Sequence, residues 1–489
     1  MAAGRPANRA VSPPRARYDV VVVGAGPVGL AAATLTAGNG LSTVLVDEQP
    51  EPGGQIYRAI GSTPVRERGV LGDEYWHGNA LVEAFLGSGA EYAPRAIVWS
   101  VAPPDDEPAL HELGLSIDGR AHLIRAKAVV VATGAHERPF PIPGWTLPGV
   151  MSAGAAQILL KTSGLVPAGR TVIAGCGPLV YLAAWQLLNA GVSIAMLLDT
   201  TPRGRLLRAL PHAARFIASP YFGKGMSLVR SVRASVPRVN RVTSLAAEGT
   251  DCLERVRYRS NGREQFVAAD LLLLHQGVVP NVNLANAMGC EHEWDERAHC
   301  FRPRLDAWGA SSVPGIWIAG DAGGIQGARA AEHHGRIAAL AASHGLGTFD
   351  AARRDALAKP HRRALSRATT GRRFFDVLFA PPQAFRVPRG ETIACRCEEV
   401  TAQQVRDAVA LGCPGPNQLK AFLRCGMGPC QGRMCGLTVV DLIADARGVH
   451  PRDVGYYRLR FPIKPLTLGE FATLPQTEAS RAAVVRLRE

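Results

Sequence analysis

The chain has 489 residues, 47% of them hydrophobic, which is material for two to four packed domains and excludes a disordered polypeptide. Its formal charge of +14, carried mostly by arginine, is compatible with an acidic partner. No nucleic-acid-binding module and no interleaving of basic with aromatic residues accompanies that charge, which argues against nucleic acid.

Residues 1–16 are rich in Pro and Arg and contain no apolar segment, so they read as a disordered leader rather than a secretory signal, and the expected location is cytoplasmic. From residue 18 the chain reads "YDVVVVGAGPVGLAAATLTAGNGLSTVLVDEQ": a β-branched strand, a G-x-G-x-x-G turn, an alanine-rich helix and a second strand. Gly24 makes the tight turn, Gly26 admits a pyrophosphate to the backbone, and Gly29 lets helix and strand lie close. The phosphates would rest on the helix N-terminus. Glu48 is the expected acid for the ribose, with Asp47 its rival. "EPGGQIYRA" then supplies Gly53, Gly54 and Gln55, and "AVVVATGAHERP" closes a strand on Thr133 and Gly134.

A charge-free run from Thr171 to Leu198 is long enough to span a bilayer, yet it reads strand, glycine turn, helix, strand, the apolar pattern of a buried parallel βαβ unit. No transmembrane segment is expected. Here "TVIAGCGPLV" repeats the fingerprint with Gly175 and Gly177, but Val180 stands in the third glycine position and should push the helix outward. Asp199 could accept a ribose diol, which would favour NAD over NADP; the alternatives are another adenine nucleotide or a scaffold without ligand. Cys176, inside the turn, reads as a packing residue.

"VPGIWIAGDAGGIQGARAAEHHG" places Asp321 at a strand end, followed by Gly327 and Ala328 at the mouth of a helix. With the earlier motifs, this set resembles the two-dinucleotide flavoprotein disulfide reductase superfamily over residues 17 to 350. That resemblance implies FAD, with Asp321 on the ribityl chain and Gly327 and Ala328 at the flavin pyrimidine edge; a helix cap is the blander reading of the Asp. "GVVPN" resembles that superfamily's return from the inserted domain. The redox dithiol of its disulfide-reducing members is missing. His136, His333 and His334 lie beside flavin motifs, where a hydrogen-bonding role is the simpler reading.

Six of the ten cysteines fall between Cys395 and Cys435, a clustered set that suggests metal rather than disulfides. Cys395, Cys397, Cys430 and Cys435 form C-x-C-x32-C-x4-C, and the Gly-rich "CGMGPCQG" offers many N–H groups to an anionic cluster. The spacing resembles the bacterioferritin-associated ferredoxin type of [2Fe-2S] domain; structural zinc and an empty remnant are the alternatives. Cys413 and Cys425 read as buried structural thiols, either of which could substitute as a ligand.

"PIPGWTLPGVMSAGAAQ", "CRCEEVT", "GMGPCQGRMCG" and "RFPIKPLTLGEFA" together resemble the α subunits of the opine oxidase, D-hydroxyproline dehydrogenase and hydrogen cyanide synthase family. The resemblance implies an electron-relaying subunit. Its partner would be an amino-acid-oxidase-like β flavoprotein that oxidises the substrate, with room for a small ferredoxin-like subunit, FMN at a subunit interface and peripheral membrane association. No substrate-oxidising acid/base constellation is evident on this chain. Two other classes remain: a self-contained NADH:acceptor reductase, and a non-catalytic assembly subunit.

The fold class expected is therefore α/β, with two Rossmann-like domains and a small C-terminal [2Fe-2S] domain. The expected boundaries are 17–158 and 286–350 for the FAD domain, 159–285 for the inserted NAD(H)-like domain, 351–384 for a basic linker, 385–455 for the cluster domain and 456–489 for a tail.

Overall fold

The computed structural model describes residues 13–475; most of the expected leader and the end of the tail lie outside this range. The first domain is built on a seven-stranded sheet. Its strands run Glu91–Ala93, Thr43–Val46, Arg17–Val23, Arg120–Val131, His111–Ile117 and Ile97–Ala102, with Ile316–Ile318 also on the long strand. That long strand serves two purposes. Its last residues pair in parallel with Arg17–Val23 on one side and Ile316–Ile318 on the other, while its first half turns back antiparallel on His111–Ile117. Val20, Val22, Val129 and Val130 are completely buried, as β-branched runs in the middle of a parallel sheet should be.

The helix after the first strand, Pro27–Gly38, lies against the late helix Ala328–Gly345. A Cβ on Gly335 would sit 2.4 Å from the Val28 carbonyl oxygen, so this helix crossing exists only because residue 335 is glycine.

The second domain carries five parallel strands in the order Arg238–Val239, Ile194–Asp199, Thr171–Gly175, Leu271–His275 and Val150–Ser152. It thus recruits a strand from before residue 159. Its charge-free stretch is strand Thr171–Gly175, helix Pro178–Asn189 and strand Ile194–Asp199, and among the described residues no helix is long and apolar enough to cross a membrane. Ala135–Glu137 and Val278–Pro280 pair antiparallel where the chain leaves and re-enters the first domain.

The basic stretch after residue 350 is helical. It folds into helices Ala351–Ala368 and Arg372–Leu378, the first packed on Ala328–Gly345 and capped by Asp350, whose side chain accepts from the Arg353 N–H. Arg354 and Arg362 lie over the Trp308 ring at 3.9 and 4.2 Å, so part of the positive charge is used within the molecule.

The cysteine domain has its own core of Val405, Leu419, Val439, Leu442 and Ile443. Tyr457 and Leu459 belong to that core, so the domain runs past residue 455. Beyond it the chain returns to the first sheet: the Ile463 N–H donates to Trp99 O at 3.0 Å, and the Ala121 N–H donates to the Thr473 hydroxyl at 2.9 Å.

One buried charge joins the domains. Lys161, on helix Ala153–Ser163, donates to the carbonyls of Gln55 at 3.2 Å and Ile56 at 3.0 Å. Burial, with a smaller push from Arg58, brings its ammonium down to about 8. Because the folded value lies below the unfolded one, the unfolded chain binds more protons between the two, and this group's contribution to stability rises with pH from about 8 to above 10. Chemical denaturation of wild type and Lys161→Met across pH 7 to 10.5 should therefore show their stability difference changing by about 3 kcal/mol in wild type's favour as pH rises.

Candidate functional site

The first glycine turn separates what the fold needs from what a ligand needs. A Cβ on Gly24, at φ +107°, would meet Ala132 O at 2.5 Å, and one on Gly29 would meet Gly24 O at 1.8 Å. Both positions are closed to any side chain by the backbone itself. At Gly26 the nearest atom to an added Cβ is Gly54 Cα at 3.8 Å, so the protein leaves open space there. Gly53 donates to Ala25 O at 2.8 Å and, with Gly54 at φ +61°, stacks a second turn on the first.

The two acids after the second strand have different surroundings. Asp47 accepts the Ala25 N–H at 2.5 Å and the Gln49 N–H at 2.7 Å, so it braces the glycine turn. Burial pushes its carboxyl up, against the pull of those two N–H groups. Glu48 reaches Lys464 Nζ at 2.6 Å. Burial opposes its ionisation, but Lys464, Arg433 and Arg58 hold its carboxyl below the ordinary range. Arg58 Nε is buried without a hydrogen-bond partner beside this pair.

Across the cleft, Thr133 donates its hydroxyl to Asn281 O at 3.3 Å, and Gly134 O accepts the Asn281 N–H at 3.0 Å. Asp321 Oδ1 accepts the N–H groups of Gln326 at 2.8 Å and Gly327 at 3.1 Å, holding the loop ahead of helix Ala328–Gly345, whose own first turn no side chain caps. Gly327, at φ +96°, has nothing within 4 Å of an added Cβ, so the mouth of the following helix is open as Gly26 is. Gly320 brings this turn against Val28, where a Cβ would fall 2.2 Å from Val28 Cγ2. An open glycine cradle, two helix N-termini and an orphaned guanidinium fit a dinucleotide.

The second turn differs. A Cβ on Gly175 would lie 1.8 Å from His275 O, as closed as in the first turn. Val180 is fully buried among Ile173, Leu187 and Leu197. Since a Cβ at the equivalent Gly29 would overlap the turn's own carbonyl, this turn must be wider. Asp199 already has three partners: Oδ2 accepts from Arg238 at 2.5 Å and from the Tyr181 hydroxyl at 3.2 Å, and Oδ1 from the Thr201 N–H at 2.7 Å. The Arg238 guanidinium also lies 5.6 Å from the Tyr181 ring centroid, closing the set. Cys176 is buried, its thiol facing Gln276 Oε1 at 3.2 Å, the packing role its position suggested.

The cysteines converge, with one more than the four-residue pattern. The sulfurs of Cys395, Cys425 and Cys435 all lie within 4.8 Å of one another. Cys397 is exposed and lies against Cys430. Cys425 is therefore no detached structural thiol, whereas Cys413 stands apart with its thiol toward Gly415 O at 3.4 Å. Donation from Cys425 and Cys435 pulls the Cys395 thiol far down, toward the thiolate a metal needs. The buried Tyr457 hydroxyl reaches Cys425 Sγ at 3.6 Å and Cys435 Sγ at 3.9 Å. Five unpaired thiols suit a thiolate-held cluster, with more donors than its four positions require.

Of the histidines, His136 is half-buried with its Nδ1 enclosed and unpartnered, and desolvation, then Arg433 and Arg138, bring it down to about 4. His333 stacks on His361 at 5.7 Å, and His334 lies near Asp321. Sequence reasoning missed Arg58, Arg433, Lys464 and Tyr457. The first three stand inside quoted motifs, "GGQIYRA", "CQGRMC" and "RFPIKPLTLGEFA", but their approach to Glu48 carries no sequence signal.

The model of the pyridine nucleotide-disulphide oxidoreductase family matches residues 18–335. The chain belongs to that family. A second match, to the sarcosine oxidase A3 domain, covers residues 391–474. An opine oxidase subunit of Rhizobium meliloti is 48% identical, covering 96% of this chain and 89% of the relative. Hydrogen cyanide synthase subunit HcnB of Pseudomonas aeruginosa is 32% identical, covering 93% of this chain and 98% of the relative. The crystal structure of L-proline dehydrogenase from P. horikoshii shares the fold, with a TM-score of 0.67 at 19% identity, covering 93% of this chain and 79% of that one. The family domain implies FAD.

Gly26→Val should fold with a stability loss below about 1 kcal/mol and yet lack flavin absorbance, because the side chain enters only ligand space. Gly29→Ala should instead lose about 3 kcal/mol or more, or fail to fold, in thermal denaturation.

Proposed function

We propose that this chain is the FAD- and [2Fe-2S]-carrying electron-transfer subunit of a multi-subunit amine or amino-acid dehydrogenase. The substrate, of the opine, D-hydroxyproline or glycine type, is oxidised on a partner β flavoprotein. One observation carries the reading: the thiols of Cys395, Cys425 and Cys435 gather, with Cys397 against Cys430 nearby, and the loop carrying Cys425, Cys430 and Cys435 is hydrogen-bonded to the segment lining the flavin cleft, through Asn283 Nδ2 to Gln431 O at 3.1 Å. Bound there, FAD accepts electrons in pairs and passes them singly, and a [2Fe-2S] cluster carries one at a time.

The chain's residues divide the work. Gly26, Gly53, Gly54 and Gln55 shape the pyrophosphate cleft, Glu48 faces the ribose, and Thr133, Gly134, Asp321, Gly327 and Ala328 line the flavin end. Cys395, Cys397, Cys430 and Cys435 hold the cluster, with Cys425 a fifth thiol in reach. Among the described residues no carboxylate is hydrogen-bonded to His136 to make it a substrate base, and desolvation keeps its imidazole neutral. Capture of Asp199 by Arg238 tells against an NADH-driven reductase, because the acid meant for the nicotinamide nucleotide's ribose is already neutralised. A cavity of about 390 Å³ beside Met427, Gly428, Pro429 and Gln431, closed on the other side by Pro462, Lys464 and Pro465, gives the cysteine loop an open flank where electrons can leave or enter.

The purified chain should contain flavin and, once reduced, give the EPR signal of a [2Fe-2S] cluster, which Cys397→Ser or Cys430→Ser removes. Alone it should oxidise no opine, hydroxyproline or glycine. Coexpressed with its β partner it should support amine-dependent reduction of an artificial acceptor. The cysteine variants should slow that turnover at least about tenfold while leaving the first reduction of β-bound flavin unchanged in stopped flow. Amine oxidation by the isolated chain at the rate of the complex would refute the relay, and stoichiometric zinc without iron in anaerobic preparations would refute the cluster.

A further inference from the structure

The cysteine loop does more than gather thiols. Gln431 adopts φ +50°, a left-handed conformation unusual for a side-chain-bearing residue, and its own amide ties back to Met427 O and Gly428 O, each at 3.2 Å. Its carbonyl accepts from Asn283, on the return segment whose Asn281 is hydrogen-bonded to Gly134. Two residues further on, Arg433 donates its N–H to Cys430 O at 3.1 Å, and its backbone lies against the His136 imidazole. The loop that carries Cys430 and Cys435 is therefore seated on the flavin cleft at Gly134 and His136.

Arg433 is half-buried, and among the described residues no carboxylate forms a salt bridge with it. It belongs to a group of cations around one acid. Glu48 pairs directly with Lys464, while Arg433 and Arg58 act on it from further away, and Arg58 Nε is buried without a partner. Three half-buried cations, one with a buried unpartnered nitrogen, surround Glu48 and the Asp47 that braces the glycine turn, and Arg58 is held by both acids. Three half-buried cations against two carboxylates leave one positive charge uncompensated, which a pyrophosphate satisfies.

We propose that Arg433 is a ligand of the bound dinucleotide's phosphates, supplied to the FAD site by the cysteine loop, so that flavin retention depends on the loop that holds the cluster. The inference rests on the reading of the two cofactor sites above. Its physical basis is that a guanidinium can meet a phosphate only if its backbone is held, and this backbone is held by the turns between Cys425 and Cys435. Flavin and cluster binding then favour each other, with equal coupling in both directions.

The test compares flavin dissociation, by equilibrium dialysis and fluorescence, in the full-length wild type, Arg433→Met and Arg433→Lys, with iron and sulfide assayed in each. Arg433→Met should hold flavin at least about tenfold more weakly at unchanged iron content, and Arg433→Lys should recover part of the loss. Removing the cluster anaerobically with a chelator should weaken flavin binding in wild type and have little further effect in Arg433→Met. Equal flavin affinity in wild type and Arg433→Met overturns the proposal, as does a chelator effect of the same size in both. If wild type binds no flavin, the FAD reading itself fails, a result distinct from either of these. Because Arg433→Met alone could loosen the loop, its iron content and melting temperature must match wild type for a weakened affinity to count in support, and loss of iron in that variant counts against a ligand role.

Discussion

Backbone-to-backbone contact without room for a methyl group is the constraint on which this molecule depends. Gly29 lies on the carbonyl of Gly24, and Gly335, more than three hundred residues along the chain, lies on the carbonyl of Val28. The first contact sets the helix after the first strand; the second sets the return helix upon it. Together they bring the Asp321 turn to the glycine turn although the whole second domain intervenes in sequence. Local motifs at each end would be inert without that approach, since neither turn alone encloses a cleft.

The cysteine domain is then fixed to this frame by a small shared core, Val279, Cys300 and Phe301 against Leu437 and Val440, and by polar contacts. Asn283 and Asn286 on the return segment hold Gln431 and Leu459, Lys464 meets Glu48, and Ile463 continues onto Trp99. Each contact falls beside the cleft or on the strand behind it. The excess of arginine also has a structural side. Some of it is stacked on Trp308, some captures Asp199 and Asp441, and some surrounds the cleft at Glu48, so the net charge is not simply a surface property.

The two Rossmann-like units show how one fingerprint can lead to different outcomes. In the first, Asp47 braces the turn while its neighbour Glu48 pairs with Lys464 from the far end of the chain. In the second, Asp199 has no such neighbour and is taken by Arg238, Tyr181 and the Thr201 N–H. Arg238 comes from the strand paired beside Asp199's own, thirty-nine residues later, and pairs with it because two buried charges of opposite sign cost less together than apart.

The sequence by itself determined the α/β class, both glycine turns, the absence of an apolar spanning helix among the described residues, and the grouping of cysteines at one end. These are local properties: a glycine is required by its own φ and its nearest carbonyl, and hydrophobic period follows from the geometry of one strand or helix. Boundaries were less legible. The second sheet takes the strand Val150–Ser152, and Tyr457 enters the cysteine core from what reads as a tail, because pairing and packing are decided by distant partners. Only the tertiary structure decided which charged side chains remain free. That Asp199 is consumed, that Cys425 joins Cys395 and Cys435, and that Arg433 reaches the side of Glu48 each depend on residues far apart in the chain meeting in three dimensions. Availability for a ligand is what remains after those meetings, and no local spacing encodes it.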